Sequence, residues 1–122
     1  MRFCLLVALT LLLGNCSGQG VASQDPNAPV KILISQMYVT VKNESGLALN
    51  DVEIAIIPIG RTTVFNKFLG RIENAESRNV MLGDFIGRDG TPFNLRAIKP
   101  RSVEVKGKDV KGQEHTAEVP WQ

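Results

Sequence analysis

The chain has 122 residues, with 14 Lys and Arg against 12 Asp and Glu and a formal net charge of +2. A balance so close to neutral gives no electrostatic footprint for nucleic acid. One histidine and two cysteines are too few for a His-rich metal centre or a disulfide framework, and the length fits one domain with little room for a second.

In chain order, Arg2 and the terminal amine precede an apolar run from Phe3 to Leu13 that only Thr10 interrupts. As a helix this run rises about 16 Å, half of the roughly 30 Å hydrocarbon core, so it reads as a secretory signal and not as a span. The run ends in Leu13-Gly14-Asn15-Cys16. That tetrad resembles the lipobox of bacterial lipoproteins, in which Leu and two small residues precede the Cys that becomes the new N-terminus; Asn15 stands where the family usually has Gly, Ala or Ser. The resemblance implies a diacylglyceryl group on the Cys16 thiol and an acylated amine. Two or three chains, at about 0.8 kcal/mol per buried methylene, anchor stably where one is marginal. Ser17 resembles the residue that directs such proteins to the outer membrane. Cys4 leaves with the signal, so Cys16 is the single mature thiol, and lipidation consumes it. The alternative is cleavage after Ala22 in Gly20-Val21-Ala22, which gives a free secreted or periplasmic protein.

After cleavage the formal charge is +1, and Ser17 to Pro29, almost without large apolar side chains, reads as a flexible tether. Its thirteen residues span roughly 20 Å on average. From Val30 the apolar period is two. Leu33, Met37, Val39 and Val41 share one phase, with Ile32 and Ile34 making the start apolar on both faces, which predicts a long first strand, bulged or changing partner near Ser35 and Gln36. Asn43-Glu44-Ser45-Gly46 is a turn, and Val52, Ile54 and Ile56 belong to a second strand stopped by Pro58. Thr62 to Phe68, continuing through Ile72, is a third strand; Asn74 to Ser77 is a turn, and a short strand follows around Asn79 to Leu82. Gly83 to Pro92 is a loop with a tight turn at Asp89-Gly90. Val103 and Val105, then His115, Ala117 and Val119, form a closing hairpin through Gly107 to Gly112. The pattern predicts an all-β fold, a small antiparallel sandwich of six or seven strands.

The run Val39 to Gly46 followed by Leu49 to Ile54 resembles the opening strands of immunoglobulin-like and fibronectin-like domains in bacterial envelope proteins. The later markers Gly70-Arg71-Ile72-Glu73, Asp84-Phe85, Asp89 to Asn94 and Lys99-Pro100 are similar to a pattern in uncharacterised bacterial exported proteins. The resemblance implies an immunoglobulin-like sandwich and transfers no catalytic residue.

Candidate chemistry is sparse. His115 is the single histidine and sits in phase with Ala117 and Val119, as a structural, inner or half-buried residue. Asp84 and Asp89 lack the spacing of a calcium loop, and Asp89-Gly90 has a simpler use as a turn. Six basic residues between Arg96 and Lys111 fit a protected edge strand, whose lysines prevent edge-to-edge pairing; the alternative is a face toward anionic lipid or glycan. Core packing is expected of Phe65, Phe68, Phe85 and Phe93, while Trp121 either folds back or stays exposed as a ligand surface.

The chain therefore divides into a signal peptide over 1–15, a lipidated N-terminus and tether over 16–29, and a β-sandwich domain over 30–122. The expected function is that of a lipid-anchored cell-envelope protein, not an enzyme, with a binding or structural accessory role. The alternative is a free module that binds a peptide or glycan by strand addition. Membrane, through acyl chains on Cys16, and an envelope protein are the expected partners; no cofactor, metal or nucleic acid is.

Overall fold

The computed structural model describes residues 27–60 and 63–121. The expected signal peptide, Cys16 and most of the tether lie outside the described residues. Eight strands run in order: β1 (Val30–Ile34), β2 (Tyr38–Asn43), β3 (Leu49–Pro58), β4 (Phe65–Ile72), β5 (Ser77–Met81), β6 (Ile86–Gly87), β7 (Pro100–Asp109) and β8 (Glu114–Pro120). Among the described residues one 3-10 turn, Leu82–Asp84, interrupts them. The count exceeds the expected six or seven because the first strand divides into β1 and β2 and a two-residue strand, β6, forms inside the segment read as loop.

The expected long first strand is two strands. Ser35 breaks it, because its hydroxyl accepts the Met37 and Tyr38 amides at 3.2 and 3.0 Å and donates to the Tyr38 carbonyl at 3.0 Å. The chain doubles back there, and β1 pairs antiparallel with β2 from Ile34 opposite Val39 to Val30 opposite Asn43. The turn also resets the alternation. Ile32 is buried, whereas Leu33 and Met37, in phase with the buried Val39 and Val41 along the sequence, are 67% and 64% exposed.

All pairings are antiparallel and make two sheets, ordered β1-β2-β5 and β6-β4-β3-β7-β8. The second strand of the sequence reading, with Val52, Ile54 and Ile56 buried and Pro58 at its end, is β3. A register shift between Leu49 and Val52, with Asp51 at φ 55°, lets both of these residues face inward although they are three apart. Gly107 is buried in the middle of β7, where a Cβ would lie 3.0 Å from the Val52 side chain, so no larger residue fits without displacement.

The two sheets share one core in a sandwich-like arrangement. Val39, Val41 and Val80 come from the smaller sheet, and Val52, Ile54, Ile56, Val103 and Val105 from the larger. Each such side chain, fully buried, contributes about 1.5–3 kcal/mol.

The registers give the sandwich two distinct ends. Val30, at the start of the described strands, lies beside the 43–49 loop, the 73–76 turn and the tip of the β7–β8 hairpin, since Val30 pairs with Asn43 and Leu49 with both Ile72 and Asp109. The Asn43 side chain ties the sheets together there, donating to the Leu47 and Ile72 carbonyls at 2.8 and 3.1 Å. At the opposite, loop end lie the 35–37 turn, the connection after Pro58, the segment over 82–99 and Trp121.

Candidate functional site

The loop end holds a groove of about 800 Å³ between the 35–37 turn and the segment over 91–98, with Met37, Leu82, Phe93, Leu95, Arg96 and Ile98 among its walls. Local hydrogen bonding fixes those walls. Leu82 donates its amide to the Met37 carbonyl at 3.1 Å, and Phe93 donates to Phe85 at 2.8 Å, which folds residues 85–93 into a strap against β4. The strap turns where Gly87 donates to Thr91 at 2.8 Å and Asp89 Oδ1 accepts the Thr91 amide at 3.0 Å. That amide holds the Asp89 carboxyl below the usual carboxylate range, so Asp89 serves the turn expected of Asp89-Gly90. Asn94 then builds the next turn, its side chain accepting the Arg96 amide at 2.9 Å and its carbonyl the Ala97 and Ile98 amides at 3.0 and 2.9 Å.

Aromatic packing gives the groove a fixed floor. The Phe93 ring meets Phe65 edge-on at 5.4 Å and Trp121 at 6.3 Å. Trp121 thus folds back, half-buried, and donates its amide to Arg101 at 2.9 Å. Phe65, Phe85 and Phe93 are core residues as expected; Phe68 is not, being 61% exposed on β4 beside Gly70. The register runs unbroken from Phe65 opposite Ile56 to Phe68 opposite Glu53, so alternation puts Phe68, three residues after the inward Phe65, on the outer face.

The charge pattern differs between the ends. At the Asn43 end Lys42 pairs with Glu44 at 3.3 Å, Arg71 with Glu73 at 2.7 Å and Arg78 with Glu76 at 2.8 Å. At the loop end Arg88, Arg96, Lys99 and Arg101 are all exposed, and among the described residues none of the four forms a salt bridge. The six basic residues do not share an edge strand. Arg101, Lys106 and Lys108 lie on β7, an interior strand between β3 and β8, Arg96 and Lys99 line the loop end, and Lys111 sits in the β7–β8 turn. A run of alternating charge reads alike on an edge and on the solvated face of an interior strand.

His115 is half-buried, as expected, and far along β8 from the groove. Its Nε2 lies 2.9 Å from Asp109 Oδ2, while Asp109 Oδ1 accepts the Lys111 and Gln113 amides at 2.8 and 3.0 Å. His115, and then those amides, hold the Asp109 carboxyl below its usual range against the effect of burial. The pair fastens a hairpin turn. Among the described residues no three His, Cys, Asp or Glu side chains converge on a point.

Of the groove residues, the sequence singles out Arg96 and Phe93 but not Met37, which it places only in phase with Val39 and Val41, nor Leu95. Neither carries a motif; what joins them is the Ser35 turn opposite the Asn94 turn. The chain matches no family model, no curated protein and no solved structure.

Proposed function

We propose that this protein is a lipid-anchored module of the bacterial cell envelope, held at the outer membrane by acyl chains on Cys16, with a non-catalytic binding role carried by an immunoglobulin-like domain. The strand order supports the domain type. With β1, β2 and β5 as strands A, B and E, and β4, β3, β7 and β8 as C′, C, F and G, the two sheets follow the division of immunoglobulin-like sandwiches. The lipobox-like tetrad and the single mature thiol support the anchor.

The observation that carries the binding role is the polarity of the domain. The tether joins at the Asn43 end, so the groove lies at the other end, turned away from the membrane that holds the chain. Loops clustered at one end of a rigid sandwich are where such folds place recognition.

The test is mass spectrometry of the mature N-terminal peptide together with cell fractionation. A glyceryl-modified, acylated Cys16 and a protein released from membranes only by detergent are expected. A mature N-terminus at Ser23, with the protein soluble in the periplasm or medium, would refute the anchor and leave the free secreted module as the reading.

A further inference from the structure

We propose that the groove at the loop end holds an extended acidic segment of a protein partner, with an apolar side chain seated on Met37 and Leu95 and a carboxylate set against Arg96. The inference rests on the binding role proposed above and adds the chemistry of what is bound.

Two independent features lead to it. The first is charge. Residues 82–101 carry four cations, Arg88, Arg96, Lys99 and Arg101, and two carboxylates, Asp84 and Asp89. Asp89 is committed to its own turn, and none of the four cations is neutralised by a neighbour among the described residues. Of the four, Arg96 lines the groove, where its fork matches a carboxylate bidentately; Arg88, Lys99 and Arg101 lie elsewhere on the same end and steer an acidic partner toward it by their field. The second is the floor. The half-buried Leu95 and the exposed Met37 supply its apolar surface, backed by Leu82, Phe93 and Ile98, which the core already buries and which Phe65 and Trp121 hold in place. Met37, 64% exposed at its rim, is an adaptable side chain suited to varied apolar contacts.

The same features disfavour other anions. A glycan chain presents hydroxyls that an apolar floor leaves unsatisfied. The anionic surface of the membrane that holds the chain lies toward the Asn43 end, where the tether joins.

Selection of a random displayed-peptide library on the full-length protein in detergent micelles tests the proposal, with the Arg96→Glu/Lys99→Glu double variant as the counter-selection target. Both side chains are exposed, and matched circular dichroism and thermal midpoints verify that the variant folds. Enriched peptides should place Asp or Glu next to Leu, Ile, Met or Phe. A synthetic consensus peptide should bind saturably, about tenfold or more weakly to the double variant and progressively more weakly as salt rises. Lys108→Glu/Lys111→Glu, at the opposite end, should bind as the unaltered protein does. No enrichment, a neutral or basic consensus, or affinity indifferent to the double reversal overturns the proposal. So does tighter retention of heparin oligosaccharide or of phosphatidylglycerol vesicles than of the consensus peptide. Cys16→Ala separates the two readings: it should free the protein from membranes while leaving peptide binding intact, so either reading can fail without the other.

Discussion

Asn43 is fully buried, and its side chain uses every polar atom it has. The amide donates to Leu47 and Ile72, and the carbonyl accepts the Ser45 amide at 3.0 Å and the Ser45 hydroxyl at 2.7 Å. The turn at Asn43 to Gly46 was legible because Asn, Ser and Gly mark turns. That the same asparagine joins the two sheets was not, because its partner Ile72 is distant in sequence. Asn43→Ala should therefore cost about 2–4 kcal/mol, since buried carbonyls lose their donor and nothing replaces it; urea denaturation measures this, and a loss within error of zero would show that the turn holds itself. The Asp109–His115 pair makes a prediction in pH. The folded carboxyl is more acidic than in the unfolded chain, chiefly through His115. Its contribution is thus fully present above the ordinary Asp value of about 3.9 and fades as pH falls through the depressed folded value. The stability difference between the unaltered protein and Asp109→Asn should shrink as pH drops below about 4. A difference constant from neutral to strongly acidic pH would contradict the assignment.

At the scale of elements, β3, β7 and β8 were readable because each has an inward face of Val, Ile or Ala with few interruptions. The β1–β2 boundary was not, because Ser35-Gln36-Met37 contains neither Gly nor Pro and makes its turn through the Ser35 hydroxyl. Nor does period-two alternation say which strand is an edge, and this is why the basic run was assigned to one while β7 lies inside the sheet. The protection of an actual edge is done elsewhere. β6 covers only Phe65 and Asn66 of β4. Beyond them Arg78, from the other sheet, donates to the Arg71 and Leu69 carbonyls at 2.7 and 3.3 Å while held by Glu76. A guanidinium on those acceptors both links the sheets and occupies the positions an incoming strand would need. Arg78→Met keeps the aliphatic stem and removes the donors. It should cost about 1–2 kcal/mol and raise the tendency to self-associate. Light scattering unchanged at high concentration would show that β4 needs no such cover.

At the scale of the whole molecule, the sequence carried an address at one terminus and an architecture over the rest, but not the relation between them. That relation comes from registers: Val30 opposite Asn43, and Leu49 opposite both Ile72 and Asp109, put the tether and the β7–β8 turn at one end and the groove at the other. Ten-residue strands such as β3 and β7 make the ends about 30 Å apart. In the anchored reading Cys16 is consumed and no other mature thiol exists, so a single introduced cysteine reports one position without interference. Lys111, in the β7–β8 turn, and Thr91, in the strap, are both exposed and mark the two ends. With the lipidated protein in vesicles, a fluorophore on Lys111→Cys should be quenched more strongly by headgroup-attached quenchers than one on Thr91→Cys. In the anchored reading the expected tether of roughly 20 Å lets the domain tilt, so the mean difference in depth should be smaller than the full length of the sandwich, yet of fixed sign. Equal quenching would mean that the domain lies on its side, and stronger quenching at Thr91→Cys would turn the groove toward the membrane and remove the argument that it faces a protein partner.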